Sequence, residues 1–143
     1  MGQQFIAPNE ILPGTLAYTN QYLLTGTTTN ATETELFATG NTRISITSGK
    51  TSFYTVDIIG KRTDVVGNYC AFRLQGVSNN TANTYADLGN ILEMVIYRTN
   101  ASYLCDARVD NTNKSISVYV TGVSGHTISW RAVLTAVEVW YEK

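Results

Sequence analysis

The sequence predicts an all-β protein, an antiparallel β-sandwich or jelly-roll-like single domain, and three observations predict it. From Gln21 onward, short apolar or alternating runs are separated by clusters of Gly, Asn, Asp and Ser at regular spacing. Threonine is abundant and there are nine tyrosines, residue types that suit a pleated, half-buried surface. Both prolines, Pro8 and Pro13, fall near the start, so none interrupts a strand ladder further on. A length of 143 residues suits one domain around one core.

Residues 1–20 read differently from the rest. They hold both prolines and have no clean period, so neither a strand nor a helix is predicted. Phe5, Ile6, Ile11, Leu12 and Leu16 are nevertheless too apolar for a solvated tail. The segment reads as an extended N-terminal arm whose anchors bury against a partner protein, with 21–143 as the sandwich domain. Beyond it, Tyr22–Thr25 and Thr32–Phe37 are short runs, and Ile44 and Ile46 share one face. In the long run Ser52–Lys61, Tyr54, Val56 and Ile58 point one way and Phe53, Thr55 and Asp57 the other. Cys70, Phe72 and Leu74 share a face of the next strand. Ser78–Thr84 reads as a polar loop, and Gly26, Gly40, Gly60, Gly67 and Gly76 as turns or strand ends.

A helix competes only over Ile91–Arg98, where Asn90 offers a cap, but Val95, Ile96 and Tyr97 favour a strand. Tyr103, Cys105, Ala107 and Val109 form the following strand. Asp110–Lys114 is a turn leading to Ile116, Val118 and Val120. In the last strand Ile128, Trp130, Ala132 and Leu134 face one side, with Arg131, Val133 and Thr135 opposite. Both of its faces are fairly apolar, which predicts a central strand or one touching a neighbouring subunit. Trp130, Val133 and Val137 are therefore the residues expected to serve the core and self-association.

Charge excludes some functions. The net charge of −1 offers no phosphate-binding patch, so no nucleic acid and no membrane partner is expected. The N-terminus has neither a basic region followed by an apolar stretch nor a transmembrane-length run. Cys70 and Cys105 read as buried free thiols rather than a disulfide, and their spacing fits no zinc site. His126, the one histidine, lies in a turn with no nucleophile motif beside it. The carboxylates are spread thinly, with no glycosidase-like pair. Asp110-Asn-Thr-Asn113 lacks the ordered ligand series of a calcium loop. Four Asn-x-Ser/Thr sequons, at Asn30, Asn79, Asn100 and Asn113, are what chance gives in so Asn- and Thr-rich a chain. No catalytic residue, metal site or cofactor is predicted. Tyr54, Tyr97, Tyr119, Trp140 and Tyr141 are candidates for stacking on sugar rings if exposed.

Several stretches carry a family likeness. They are Thr27–Gly40, Ser52–Asp64, Ala71–Val77 and Ser115–Ala132, the last with a strand, a Thr-Gly-x-x-Gly turn and Ile-x-Trp-Arg-Ala. Over roughly residues 25 to 139 the chain resembles a β-rich module of tailed-bacteriophage virion proteins, the capsid decoration or cement proteins and tail-fibre tips. The resemblance implies a non-enzymatic structural part of the outer virion surface, assembled in the host cytoplasm. It also implies a homo-oligomer, a trimer in preference, with the major capsid protein or tail proteins as partners. A cement protein clamping the shell through its arm is the first expectation, because no fibre shaft precedes the domain. A tail-fibre or tail-tip head reading a host receptor is the second, and a lectin-like module taking a host glycan the third.

Overall fold

A computed structural model describes residues 17–46 and 48–140, so Phe5, Ile6, Ile11, Leu12 and Leu16 of the predicted arm lie outside the described residues. Within them the protein is all-β and antiparallel. Nine strands run in chain order: β1 (Ala17–Thr28), β2 (Thr34–Leu36), β3 (Ile44–Ser45), β4 (Lys50–Arg62), β5 (Tyr69–Thr81), β6 (Thr84–Arg98), β7 (Leu104–Asp110), β8 (Ser115–Thr121) and β9 (Ile128–Trp140). Five form one sheet in the order β1-β9-β4-β5-β6. In the other, β8 pairs with β2 and β3 on one side and β7 on the other. The last strand lies inside the sheet, flanked by β1 and β4, in keeping with its two apolar faces.

The alternation read from the sequence decides which side chains the two sheets bury between them. Tyr54, Val56 and Ile58 of β4, Cys70, Phe72 and Leu74 of β5, and Trp130, Ala132 and Leu134 of β9 are buried. They meet Ile116, Val118 and Val120 of β8 in one core. Trp130 is fully enclosed, donates its indole N–H to Thr28 Oγ1 at 2.9 Å and meets Tyr103 edge-on with ring centroids 6.5 Å apart. Trp130 is part of the core cluster.

Four details differ from the sequence reading. Strand β1 begins at Ala17, so the last four residues of the predicted arm belong to the sheet, where Ala17 pairs with Val139. Ser78–Thr84 is not a loop: β5 and β6 run on to a two-residue hairpin turn at Ala82 and Asn83, both at positive φ (50° and 66°). Gly26, Gly60 and Gly76 lie inside strands rather than at turns. Tyr54 is fully buried and no platform for a sugar; its hydroxyl donates to Asp87.

The inner face also carries a polar end. Glu138, two positions before the last described strand ends, is buried and accepts from Asn20 Nδ2 (2.5 Å), Ser52 Oγ (2.9 Å) and Lys50 Nζ (3.3 Å). These partners come from β1 and β4, so one carboxylate ties the start of β1 to the centre of the sheet. Buried charges persist only when paired and hydrogen-bonded in this way.

Candidate functional site

Strand direction sorts the connections to two ends. The turns at residues 48–49, 82–83 and 111–114 lie at the end where β1 starts and β9 finishes. The longer connections, residues 29–33, 63–68, 99–103 and 122–127, gather at the opposite end. Loops on a rigid scaffold are where recognition is commonly built.

These four loops brace one another. Arg62, the last residue of β4, holds Asp64 through Nε (2.8 Å) and Nη2 (3.1 Å), and its Nη2 also reaches the Gly125 carbonyl at 3.4 Å. Asp64 in turn accepts from the Thr127 N–H, while the Thr63 N–H donates to the Thr127 carbonyl at 2.8 Å. Gly125 N–H donates to the Thr29 carbonyl, joining the 122–127 and 29–33 loops. Thr99 Oγ1 accepts from the Tyr69 N–H and Asn68 Nδ2, joining 63–68 to 99–103. His126 Nδ1 lies 2.8 Å from the Tyr103 hydroxyl, so the turn histidine is spent on bracing. Arg62, foremost, and the backbone N–H groups of Asp64 itself and Thr127 hold the Asp64 carboxyl down at about 2.

Out of this braced base the 63–68 loop pushes two valines. Val66 is 91% exposed and Val65 50%. Beside them Lys61, Thr63 and the half-exposed Tyr69 line a shallow cleft of about 350 Å³. An apolar tip next to an aromatic ring and a cation can grip a surface by contact and orient it by hydrogen bonds. The signal in the sequence is Thr-Asp-Val-Val-Gly, a turn segment with two β-branched apolar residues where polar ones are usual. The brace itself has no local signal, because it joins residues about 60 apart in the chain.

The other predicted site residues fall elsewhere. Val133 and Val137 are exposed on the outer face of the five-stranded sheet, not in the core with Trp130. Tyr97 is exposed on β6, whereas Tyr119 lies under the Arg108 guanidinium at 3.7 Å. Trp140 is half-buried with Lys50 over its ring, and Tyr141 lies outside the described residues. Cys70 is a buried free thiol, as predicted; Cys105 is also free but only partly buried. Asp110 caps its own turn, accepting from the Thr112 and Asn113 N–H groups.

The fold defines an antiparallel β-sandwich with a braced loop end. No protein-family model matches the chain, and no curated protein matches it. Among solved structures it is similar to a tailspike protein, gp49, from Acinetobacter baumannii bacteriophage Fri1, a capsular polysaccharide depolymerase. That likeness has a TM-score of 0.49 and 12% identity over 91% of this chain and 20% of the tailspike. It is also similar to the Acinetobacter phage vB_ApiP_P1 tailspike protein, with a TM-score of 0.31 and 13% identity over 95% of this chain and 24% of that one. The chain thus spans only 20% to 24% of the length of these tailspikes.

Proposed function

We propose that this chain is a non-enzymatic module of a tailed-phage virion that works at the tail, as a fibre or spike head meeting the host surface. One observation carries the reading. The sandwich has opposite ends of opposite character: β1 starts at one, so the N-terminal segment joins there, and the braced loops with Val65, Val66 and Tyr69 occupy the other. A head tethered at one end and presenting contacts at the other has this layout. The likeness of Ser115–Ala132 to phage virion modules supports a place in the virion. A shell-clamping role uses the N-terminal segment but leaves the braced loop end without a task. The partners are then a tail protein at the tethered end and a host-surface component, a glycan among the candidates, at the loops.

The test has two arms. Gold-labelled antibody against the protein should mark the tail of virions in electron micrographs. Virions carrying Val66→Asp with Tyr69→Ala should attach to host cells at least tenfold more slowly, while the purified variant melts with the wild type. Label spread over the shell, or unchanged attachment, would overturn the proposal.

A further inference from the structure

We infer that the loop-end half of the outer face of the five-stranded sheet binds an acidic polysaccharide, one whose sugars carry carboxylates. The inference gives the host contact a ligand class and a second surface, and it rests on the tail-head reading for where that ligand is met. Strand pairing places the parts. Ile59 pairs with Arg131 on one side and Ala71 on the other, and Ala71 pairs with Tyr97. These four residues form a row across β9, β4, β5 and β6. In the next row towards the loops, Lys61 pairs with Tyr69 and with Ser129. Lys61 and Arg131 are therefore diagonal neighbours on one face, and so are Tyr69 and Tyr97, all within reach of a single ligand.

Charge identifies the ligand as an anion. Lys61 and Arg131 are both exposed, and neither has an ion-pair partner among the described residues. The carboxylates beside them are already taken, Asp57 by Arg73 at 2.7 Å and Asp64 by Arg62 at 2.8 Å. The repulsion between two like charges on neighbouring strands is thus left for a ligand to offset. A carboxylate does so, accepting charge-assisted hydrogen bonds from the ammonium and the guanidinium together.

The neutral groups around the cations favour a sugar. Tyr97 is 58% exposed and Tyr69 40%, so Tyr97 meets the condition of exposure that a stacking tyrosine needs. On the opposite side of the cations, Thr25 pairs with Arg131 and Thr27 with Ser129. That places three hydroxyls along β1 and β9, each able to donate to or accept from a sugar hydroxyl. Two shallow clefts adjoin across this area. One, of about 350 Å³, is lined by Lys61 and Tyr69; the other, of about 370 Å³, by Ile59, Ala71 and Arg131. Both lie within the range of small-ligand sites. A single-stranded nucleic acid asks instead for a groove of cations that tracks its backbone, which two side chains do not make.

The test is binding of the purified full chain to a panel of polymers: alginate, hyaluronate and polysialic acid as acidic polysaccharides, with dextran, poly-glutamate and single-stranded DNA beside them. At least one acidic polysaccharide should bind about tenfold or more tighter than neutral dextran, and its affinity should fall as salt rises. Lys61→Ala combined with Arg131→Ala should abolish that preference. Tyr97→Ala should weaken binding severalfold and leave the salt dependence in place. All three positions are exposed, so the variants should melt with the wild type. If no acidic polysaccharide is preferred to dextran, or if poly-glutamate or single-stranded DNA binds as tightly, the inference fails. Failure together with gold label on the tail removes this site and leaves the tail-head reading standing. Preference for an acidic polysaccharide together with label over the shell keeps the site and removes that reading.

Discussion

Gly60 faces Trp130 and Cys70 across its two ladders, and the core leaves it no room for a side chain. A Cβ there would lie 2.6 Å from the indole ring and 2.8 Å from the Cys70 sulfur. Gly60→Ala should therefore overpack the core and cost about 1–3 kcal/mol in urea unfolding. Trp130→Ala removes the largest enclosed side chain and strands Thr28, and should cost about 3–5 kcal/mol. In the double variant the new methyl occupies part of the vacated space, so its cost should fall below the sum of the two. Simple additivity would show that Gly60 is needed for its backbone rather than for the ring it faces. The same enclosure raises the Cys70 thiol to about 12, chiefly by desolvation, which leaves it a small apolar core group rather than a nucleophile.

The strands and the loops behave differently on acidification. Asp64 is the hinge of the loop brace, and its carboxyl is lowered from 3.8 to about 2, first by the Arg62 hydrogen bonds. A lowered folded-state value means that ionised Asp64 supports the folded arrangement above pH 4. That support is lost as the pH falls through about 2. Amide exchange in residues 63–68 and 122–127 should accelerate over that window before the β4, β5 and β9 amides follow. Asp64→Asn should show the faster loop exchange already at neutral pH; identical exchange in variant and wild type would remove Asp64 from the brace. Strand faces were legible because alternation is local: Tyr54, Val56 and Ile58 need only their neighbours in sequence. The β5–β6 hairpin was not, since Ser78–Thr84 is polar throughout and its Ala82-Asn83 turn lacks the glycine that usually marks positive φ. The brace was illegible for a further reason: Arg62, Asp64, Gly125 and Thr127 meet only because β4 and β9 pair. Glu138 was readable in principle, for it shares the parity of Trp130, Leu134 and Ala136, and a carboxylate on a buried face demands partners.

At the scale of the whole molecule, tether, sheet face and loop end are separate surfaces, and truncation can separate their roles. The boundary matters. Ala17 already pairs with Val139, and Asn20 holds buried Glu138 at 2.5 Å. Removing residues 1–16 should leave the sandwich's melting nearly unchanged. Removing 1–20 also takes a hydrogen bond from a buried charge, which costs about 1–3 kcal/mol. Asn20→Ala in the full chain should reproduce most of that loss, which places it in the Glu138 contact rather than in chain length. If Phe5, Ile6, Ile11, Leu12 and Leu16 anchor the protein to a tail partner, the 1–16 deletion should fold and be missing from purified particles. Asn20→Ala should be less stable yet still incorporated. Incorporation of the 1–16 deletion at the full-chain level would move the attachment site off the N-terminal segment and onto the sandwich, with the exposed sheet face as the first place to look.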